Sequence, residues 1–295
     1  AQCHNHKFDP VSMTDYYRLH TIFAAVNRRD RVYDLDPEIA KKWVKIESEV
    51  ADLDKKLRDI DKAIETEGGA ELKEIKARVA KLKEAGKASL KYVAEHGYHS
   101  HIVKQQDTEK WVQLELADSA EFSTVRLRAC YDDFAGIKGG FGFPARFKVE
   151  VSDDPKFSKD ARVVADHTKR NFLNPVLAPV DLPGGKGRFV RVTATKLVER
   201  KNDYIFALAE VELLDAKGRN LARGAKVAAK DSIEGGNRWG RRNLVDGKYS
   251  TGGDPKSAAE LAEALKTMDS ILAKVETPER LKKRDALRKQ RDQKM

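Results

Sequence analysis

The apolar positions of the chain follow a helical pattern near both ends and an alternating pattern in the middle. Beyond residue 37 they recur at spacings of four and three, which is the heptad pattern of a coiled-coil helix. It predicts a helix over 37–66, a break at Gly68-Gly69, and a second arm that folds back as an antiparallel hairpin. The same spacing returns over 261–275. The heptad positions are Ile39, Trp43, Ile46, Val50, Leu53, Leu57, Ile60, Ile64, then Leu72, Ile75, Val79, Leu82, and later Leu261, Leu265, Met268, Leu272, Val275.

The middle of the chain alternates apolar and polar residues, which is typical of half-buried strands. Turns rich in Gly and Pro separate these runs, so the pattern predicts an antiparallel β-sandwich of the jelly-roll kind. The runs cover 111–116, 125–130, 147–152, 189–194 and 207–214. The fold class is therefore α+β and multidomain, with a sandwich inserted between coiled-coil helical arms.

Capping residues and the two patterns together divide the chain into four segments. Ser12 and Asp15 have the spacing of a capping box, which predicts a short helix over about 14–26, and Asp36-Pro37 resembles a helix start. We expect segments 1–35, 36–95 (helical hairpin), 96–253 (sandwich) and 254–295 (returning helix and charged tail). The helices would form an intramolecular stalk that presents the sandwich. Dimerisation through the heptad positions is the alternative.

Composition narrows the class of protein. The chain is 40% hydrophobic and 35% charged, and no apolar run approaches the roughly 18 residues that span a bilayer. Its two cysteines, Cys3 and Cys130, exclude a disulfide framework. The net charge is +10, and 219–248 alone holds eight Lys or Arg against three Asp or Glu. No nucleic-acid-binding motif accompanies this charge, so we expect a solvated basic surface and no nucleic-acid partner.

The first residues carry one chemical motif. Cys3-His4 is the second half of Cys-x-x-Cys-His, in which two thiols attach haem c and the histidine ligates iron. Ala1 and Gln2 would be the two spacer residues, so we expect the first cysteine just upstream and the chain to be a fragment. The alternative is a Cys-His pair with no cofactor.

The residues around this motif resemble a known family. The runs 3–12, 15–19 and 23–26 are similar to the end of the cytochrome-associated domain in large planctomycete multidomain proteins of the PSCyt/PSD type, whose activity is uncharacterised. Asn5 stands where that family more usually has Asp. The resemblance implies haem c held by Cys3 and His4 in the intact protein, a possible redox partner, and a periplasmic, secreted or cell-surface location.

The middle segment resembles discoidin or coagulation-factor type C domains, which have a galactose-binding-like fold. The matching runs are 97–100, 110–116, 125–127, 147–154, 188–192 and 209–213. Residues 220–229 and 243–251 resemble the usual beginning of such a domain, although here they follow its end. We therefore predict a circular permutation in which 219–251 completes the same sandwich.

The discoidin resemblance also implies a calcium site. In related carbohydrate-binding domains, an Asp of an Asp-Gly turn, a nearby Thr and a Glu of the last strand help bind structural Ca²⁺. The matching positions are Asp246, Thr251 and Glu210, and oxygen ligands suit Ca²⁺. The alternatives are an ordinary Asp-Gly turn and a Glu210 that pairs with an arginine.

A sugar site combines an aromatic face with planar hydrogen-bonding groups at a loop end. One alternative for Trp239 is that it packs as a loop anchor. Arginines around a tryptophan would suit an acidic or sulfated glycan. The candidates are Trp239 with Arg238, Arg241 and Arg242, and Tyr131 with Asp132 and Asp133.

No catalytic constellation emerges from the sequence. His99 and His101 would share one face of a strand, but no third metal ligand has suitable spacing, so we expect His99 to pack in the core. The leading prediction is a non-catalytic module that binds a glycan or polysaccharide in an exported, haem-linked protein. The alternatives are part of a haem-dependent redox enzyme whose catalytic parts lie elsewhere, and a structural protein–protein interaction module.

Overall fold

A computed structural model describes residues 2–24 and 36–294. The chain divides into two compact units, one made of residues 1–56 with 288–295 and the other of residues 57–287. The described residues contain α1 (Met13–Ala24), α2 (Pro37–Ala88), α3 (Pro255–Val275) and α4 (Pro278–Asp292). The predicted end of the first helix at Val26 and the predicted boundary at residue 35 lie outside the described residues.

Local hydrogen bonds start the helices of the first unit. The Ser12 hydroxyl accepts from the Asp15 amide at 3.0 Å, and the Asp15 carboxylate accepts from the Ser12 amide at 3.0 Å, so the two form a reciprocal capping box. The Asp36 carboxylate accepts from the Glu38 amide at 2.9 Å at the start of α2. Near the chain end, Arg291 lies 3.7 Å from Asp54, and Lys294 bonds to Glu49.

The heptad positions of α2 in the first unit differ in exposure along the helix. Ile39 is 40% exposed and Trp43 is 46% exposed, whereas Leu53 is buried. The apolar face is therefore covered at Leu53 and open at the start of the helix.

In the second unit, α2 reverses direction at its glycine pair. Gly69 adopts φ 56° and ψ −149°, a backbone conformation that favours glycine. Lys76 and Glu65 then form an ion pair at 2.8 Å, although eleven residues of unbroken helix would hold them about 16 Å apart. The helix on each side of Gly69 buries its heptad residues except Leu82, which is half-buried, and α3 buries all of its own. The buried positions are Leu57, Ile60, Ile64, Leu72, Ile75, Val79, Leu261, Leu265, Met268, Leu272 and Val275.

The strands of the second unit are mostly short, with two long exceptions. They are β1 (Leu90–Lys91), β2 (Tyr98–His99), β3 (Lys110–Arg128), β4 (Cys130–Asp132), β5 (Lys138–Phe141), β6 (Arg146–Ser152), β7 (Arg162–His167), β8 (Val180–Lys196), β9 (Val198–Glu199), β10 (Tyr204–Ile205), β11 (Ala207–Leu208), β12 (Glu210–Leu214), β13 (Lys226–Ala229) and β14 (Thr251–Gly252).

One antiparallel sheet organises this unit. Its strand order is β12-β3-β8-β6-β7, and β13 also pairs with β3. β12 pairs with 124–128 of β3 and β13 with 112–115, so both lie along the same long strand. The main core joins inward side chains of this sheet, such as Val112, Val190 and Val149, with Tyr98 of β2 and Leu208 of β11. The two-stranded pair β2–β11 therefore contributes to the same core as the sheet.

The two ends of the sheet-containing segment lie side by side. β1 follows α2, β14 precedes α3, and the two strands pair with Leu90 opposite Gly252 and Lys91 opposite Thr251. α3 then begins at once, because Asp254 caps it by accepting hydrogen bonds from the Lys256 and Ser257 amides. The segment thus leaves the helices and returns to them at one place.

Ion pairs join the sheet to the helices within the second unit. Asp285 of α4 accepts from Arg146 of β6 at 2.5 Å and from Lys196 of β8 at 2.8 Å. Glu276, just after α3, lies 2.9 Å from Arg284 and 3.4 Å from Arg170. These contacts fix α3 and α4 against the sheet-bearing part of the chain.

None of the helices in the described parts of the chain combines the length and the apolar character needed to cross a membrane.

Candidate functional site

Backbone hydrogen bonds hold two distant loops together at the candidate site. The His96 amide donates to the Arg238 carbonyl at 2.8 Å, and the Gly240 amide donates to the Gly97 carbonyl at 3.0 Å. Residues 96–97 therefore lie in register with 238–240. Gly97 has φ 115°, and a Cβ there would collide with the backbone of Leu208 and Ala209. Glycine is therefore required at position 97, where the chain passes close to residues 208–209.

The structure brings together the two predicted sugar-binding groups through Arg238 and Asp132. An Nη atom of Arg238 lies 2.7 Å from Oδ1 of Asp132, whose carboxylate is buried while Arg238 is half exposed. Asp132 also accepts from the Phe134 amide at 3.1 Å, so its orientation is fixed from two sides. His96 Nδ1 lies 3.7 Å from the other carboxylate oxygen. We call Arg238, Asp132 and His96 the polar cluster.

The polar cluster extends to an exposed ring through His96. Arg238 donates through Nε to His96 Nδ1 at 3.3 Å, so His96 carries its proton on Nε2 and donates to the Tyr92 hydroxyl at 2.7 Å. Burial lowers the pKa of His96, and the positive charge of Arg238 lowers it further, although Asp132 acts in the opposite direction. His96 is therefore held neutral, as this hydrogen-bond chain requires.

The rings beside the polar cluster differ in exposure. Tyr92 is 57% exposed and packs edge-on against the half-buried Tyr131 with 6.1 Å between ring centres. Phe134 is 41% exposed, and the guanidinium of Arg200 lies 4.5 Å from its centre. The polar cluster is thus bordered by aromatic surface that solvent reaches.

Trp239 occupies a different place from these rings. It is only 7% exposed and packs edge-on against His96 and His99, each at 5.0 Å, and beside Phe141 at 5.8 Å. It belongs to a small buried cluster with Cys130 and Phe141. Trp239 is therefore the anchor of its loop, and Tyr92 and Tyr131 are rings that border the polar cluster.

The remaining predicted sugar-site residues are dispersed. Asp133 is exposed, and its carbonyl accepts from the Gly136 amide at 3.1 Å in the turn that follows β4. Arg241 pairs with Glu234 at 2.9 Å, and Arg242 makes a 3.4 Å contact with Asn237. Arg241 and Arg242 line an open groove with residues 224–227 rather than joining the polar cluster.

Two of the three predicted calcium ligands meet at the Asp246-Gly247 turn. Glu210 is fully buried; its Oε1 accepts from the Gly247 amide at 2.9 Å, whereas Oε2 has no hydrogen-bond partner. Burial raises the pKa of Glu210 to about 8, and the nearby negative charge of Asp246 adds to this. Burial also raises the pKa of Asp246. Thr251 lies in β14 opposite Lys91. Among the described residues, Glu210 and Thr251 form no hydrogen bond with each other.

The carboxylates of Glu210 and Asp246 supply only part of the oxygen ligands that a calcium ion takes. A buried carboxylate oxygen without a partner, next to a second carboxylate, is satisfied by a hard cation. Within the described residues, however, no group of three or more His, Cys, Asp or Glu side chains is placed to hold a metal. The two carboxylates therefore fit Ca²⁺ only if backbone carbonyls or a hydroxyl supply the other ligands.

The N-terminal motif lies in the other unit and is exposed. Cys3 is a free thiol, and His4 donates from Nδ1 to the Asn5 carbonyl at 2.8 Å. That bond places the ring proton on Nδ1 and leaves the lone pair on Nε2, the form in which histidine ligates metals.

Sequence reasoning missed Tyr92 and His96. Tyr92 lies in the connection after α2, outside any recognisable motif, and His96 precedes Gly97 without a spacing that points to Arg238. The local signal that could have indicated this place is Gly97 itself, because a glycine beside a strand often marks the close approach of another backbone segment.

Comparisons with known proteins concern mainly the first residues. Residues 1–28 match the profile of PSCyt2, described as a protein of unknown function (DUF1549), which supports the resemblance seen at the start of the sequence. Curated proteins show no match to this chain. A solved structure, CpGH89CBM32-5 from Clostridium perfringens in complex with GalNAc-beta-1,3-galactose, aligns with 36% of this chain and 75% of its own at 18% identity and a TM-score of 0.25.

Proposed function

We propose that the sheet-containing unit is a carbohydrate-binding module whose binding surface is Arg238, held by the buried Asp132, with the exposed ring of Tyr92 and the half-buried ring of Tyr131. The observation that carries the proposal is the polar cluster: a half-exposed guanidinium held by a buried carboxylate, beside solvent-exposed aromatic rings. Sugar rings present apolar C–H faces that pack on aromatic side chains and hydroxyls that pair with planar polar groups.

Charge balance within the cluster favours neutral sugar hydroxyls at this position. Arg238 and Asp132 neutralise one another, and burial keeps His96 uncharged. A guanidinium donates in a rigid fork, so neighbouring hydroxyls of one sugar can accept from the half-exposed Arg238, which the buried Asp132 carboxylate holds in place. Because Asp132 and His96 hold Arg238 before any ligand arrives, little side-chain entropy remains to be lost on binding.

A discoidin-like sandwich with permuted connectivity is the second part of the proposal. β13 and the Asp246-Gly247 turn follow β12 in the chain, and β13 nevertheless pairs with β3 in the same sheet as β12. Ca²⁺ held by Glu210 and Asp246 would tie the turn to β12 and neutralise two carboxylates that burial disfavours. The helices on either side of the segment would act as an intramolecular stalk.

A glycan array tests the carbohydrate assignment. All 295 residues would be applied with Ca²⁺ and with EDTA, and we expect binding to a defined set of neutral glycans. Arg238→Ala should abolish this binding, Arg238→Lys should weaken it because the fork is lost, and Lys217→Ala in the exposed turn after β12 should leave it unchanged. Absence of glycan binding in the presence of Ca²⁺, or equal binding by Arg238→Ala, would refute the assignment.

Haem-linked electron transfer is a second candidate function, supported by the geometry of His4. Its Nδ1–H bond to the Asn5 carbonyl leaves Nε2 available as an axial ligand, and the exposed Cys3 thiol could form a thioether. When bound, haem c would supply one-electron redox chemistry. The test is expression, in a host with c-type maturation, of the chain extended by one cysteine before Ala1 to complete Cys-x-x-Cys-His, followed by a haem stain of denatured protein. We expect covalent haem that Cys3→Ser removes, and unstained protein would exclude this role for the chain.

A further inference from the structure

An open groove runs beside the Trp239 loop, lined in part by Arg241 and Arg242 of that loop. Two adjoining depressions of about 300 and about 550 Å³ share residues Gly224, Ala225 and Lys226. The basic side chains that line them are Arg188, Arg223, Lys226, Arg241 and Arg242. We call the two depressions together the basic groove.

Only part of this positive charge is balanced by carboxylates. Arg188 pairs with Glu115 at 2.7 Å, and Arg241 pairs with Glu234 at 2.9 Å. Among the described residues, no carboxylate forms an ion pair with Arg223, Lys226 or Arg242. One concave surface therefore carries three cations without an ion-pair partner.

The groove also has the shape for close approach of an extended ligand. Ala225, Val227 and Val245 line it with small or aliphatic side chains, and Gly224 has φ 70°. The guanidinium of Arg223 lies against the Gly247 turn, where even a Cβ would collide with it. The Arg223 guanidinium thus lies over the turn, at the edge of the groove.

We propose that the basic groove is an anion-binding subsite that takes the carboxylate or sulfate groups of an acidic polysaccharide. Arginine forks bind planar oxyanions with two parallel hydrogen bonds, and Lys226 adds a point charge between Arg223 and Arg242 along the groove. This inference rests on the proposed function, because Arg238 of the proposed sugar site and Arg241 of the groove are only three residues apart in the chain. Three residues span at most about 11 Å, so a polysaccharide bound at Arg238 can reach the groove with its neighbouring sugars.

The lining favours a polysaccharide over a nucleic acid. Single-stranded nucleic acids are held by aromatic side chains on which bases stack, and neither depression is lined by an aromatic residue. Glu115, Glu234 and Asp246 also line the groove and would repel a ligand with a charge at every repeat. A polymer with anionic groups separated by neutral hydroxyls avoids that repulsion.

The test compares two triple variants of the 295-residue chain with equal change in net charge. The groove variant is Arg223→Gln, Lys226→Gln, Arg242→Gln, and the control variant is Lys156→Gln, Lys159→Gln, Lys217→Gln at exposed positions elsewhere. Binding to dextran sulfate and to polygalacturonate would be titrated over a salt series. We expect affinity of the groove variant for at least one polymer to fall about tenfold or more, and that of the control less than twofold.

Each alternative outcome has a distinct meaning. Equal losses in both variants would show unspecific charge attraction and overturn the subsite, as would the absence of polyanion binding by the wild-type chain. Tighter binding of oligo-dT, lost in the groove variant, would overturn the ligand class. Neutral-glycan binding by the groove variant separates failure of this inference from failure of the proposed function. If the triple variant does not fold, Lys226→Gln with Arg242→Gln replaces it, matched by Lys156→Gln with Lys217→Gln.

Discussion

At the residue scale, Glu210 makes the sheet-containing unit sensitive to pH. Its pKa is raised to about 8 by burial, so the folded state keeps a proton that the unfolded chain releases above its ordinary pKa near 4.5. Stability from this group is therefore greatest at low pH and falls as pH rises from about 4.5 to about 8. Above that range, the folded protein holds a buried, unpaired negative charge.

Replacing Glu210 by Gln should remove this dependence. In EDTA at pH 8, we expect the Glu210→Gln variant to be more stable than the wild type by about 1–3 kcal/mol, with the difference shrinking toward pH 5. The amide oxygen can still accept from Gly247. Urea unfolding across the pH series measures the effect, and Glu199→Gln at an exposed position is the control. Parallel pH curves for wild type and variant would contradict the assigned burial.

The Glu210→Gln variant also distinguishes calcium binding at Asp246-Gly247 from an ordinary Asp-Gly turn that holds no metal. If Glu210 and Asp246 hold Ca²⁺, added calcium raises the unfolding temperature of the wild type, and the Glu210→Gln variant loses most of that response. An equal response in both proteins would place any calcium elsewhere.

His96 should produce a pH dependence of opposite sign. Burial and Arg238 lower its pKa, so the folded state resists protonation and stability is lost as pH falls from about 6.5 toward the folded pKa. His96→Gln should remove the part of the stability loss between pH 7.5 and 5 that comes from His96, while His101→Gln at an exposed position should leave the loss unchanged. Glu210, His99 and His167 keep their own contributions in both variants. A variant that loses stability on acidification as steeply as the wild type would show that His96 is not the responsible group.

At the element scale, the glycine pair decides where α2 turns back. Gly69 has a positive φ that strains residues with a side chain, so Gly69→Ala should destabilise the protein by about 1–2 kcal/mol. Gly86 lies within the helix, where an added methyl group would meet its nearest neighbour, the Gly252 backbone, at an ordinary contact distance of 3.9 Å. Gly86→Ala should therefore be neutral or stabilising by up to about 1 kcal/mol. Thermal unfolding of the two variants gives the comparison, and equal changes would refute the role of Gly69.

Element boundaries show what sequence patterns can and cannot predict. The heptad spacing and Gly68-Gly69 indicated the helices and the reversal, because apolar periodicity and glycine conformation are local properties. The pattern predicted separate strands at 111–116 and 125–130, whereas β3 runs from Lys110 to Arg128 with a register shift between Glu115 and Ala120. Residues 117–120 do not alternate, and pairing with β8 keeps the chain extended on both sides of them.

The candidate site was predictable in its parts and not in its assembly. Arg238 and Asp132 were both named from local composition, since charged residues next to aromatic ones suggest sugar binding. Their contact joins positions more than a hundred residues apart, and His96, which completes the polar cluster, carries no motif. Long-range pairing of this kind follows from the register of β2 and β11 and the Gly97–Trp239 bridge, which no local pattern encodes.

At the scale of the whole molecule, Asp285 joins the sheet to the helices within the second unit. Burial alone would raise the pKa of Asp285, but its hydrogen bonds to Lys196 and Arg146 outweigh that effect and lower it. The ion pairs of Asp285 therefore stabilise the protein at pH values above the ordinary pKa of an aspartate, and this stabilisation is lost as pH falls through the lowered pKa of the folded state.

We expect Asp285→Asn to cost about 2 kcal/mol at pH 7, because two partly buried cations lose their counter-charge. Urea unfolding measures the loss, and hydrogen exchange should show faster exchange in α4 up to Leu287. Asp59→Asn at an exposed position of α2 is the matched control. Unchanged exchange in α4 would mean that other contacts fix the helix.

The pairing of β1 with β14 has a mechanical consequence. α2 enters and α3 leaves at the same end of this two-residue ladder, so tension between the two helices would load its hydrogen bonds one after another instead of all together. Strands pulled apart in this way separate at low force. If force were applied to a ligand-bound protein by way of α2 and α3, the β1–β14 pairing would therefore be lost first. The freed residues next to β1 and β14 would extend before the core of the sheet unfolds.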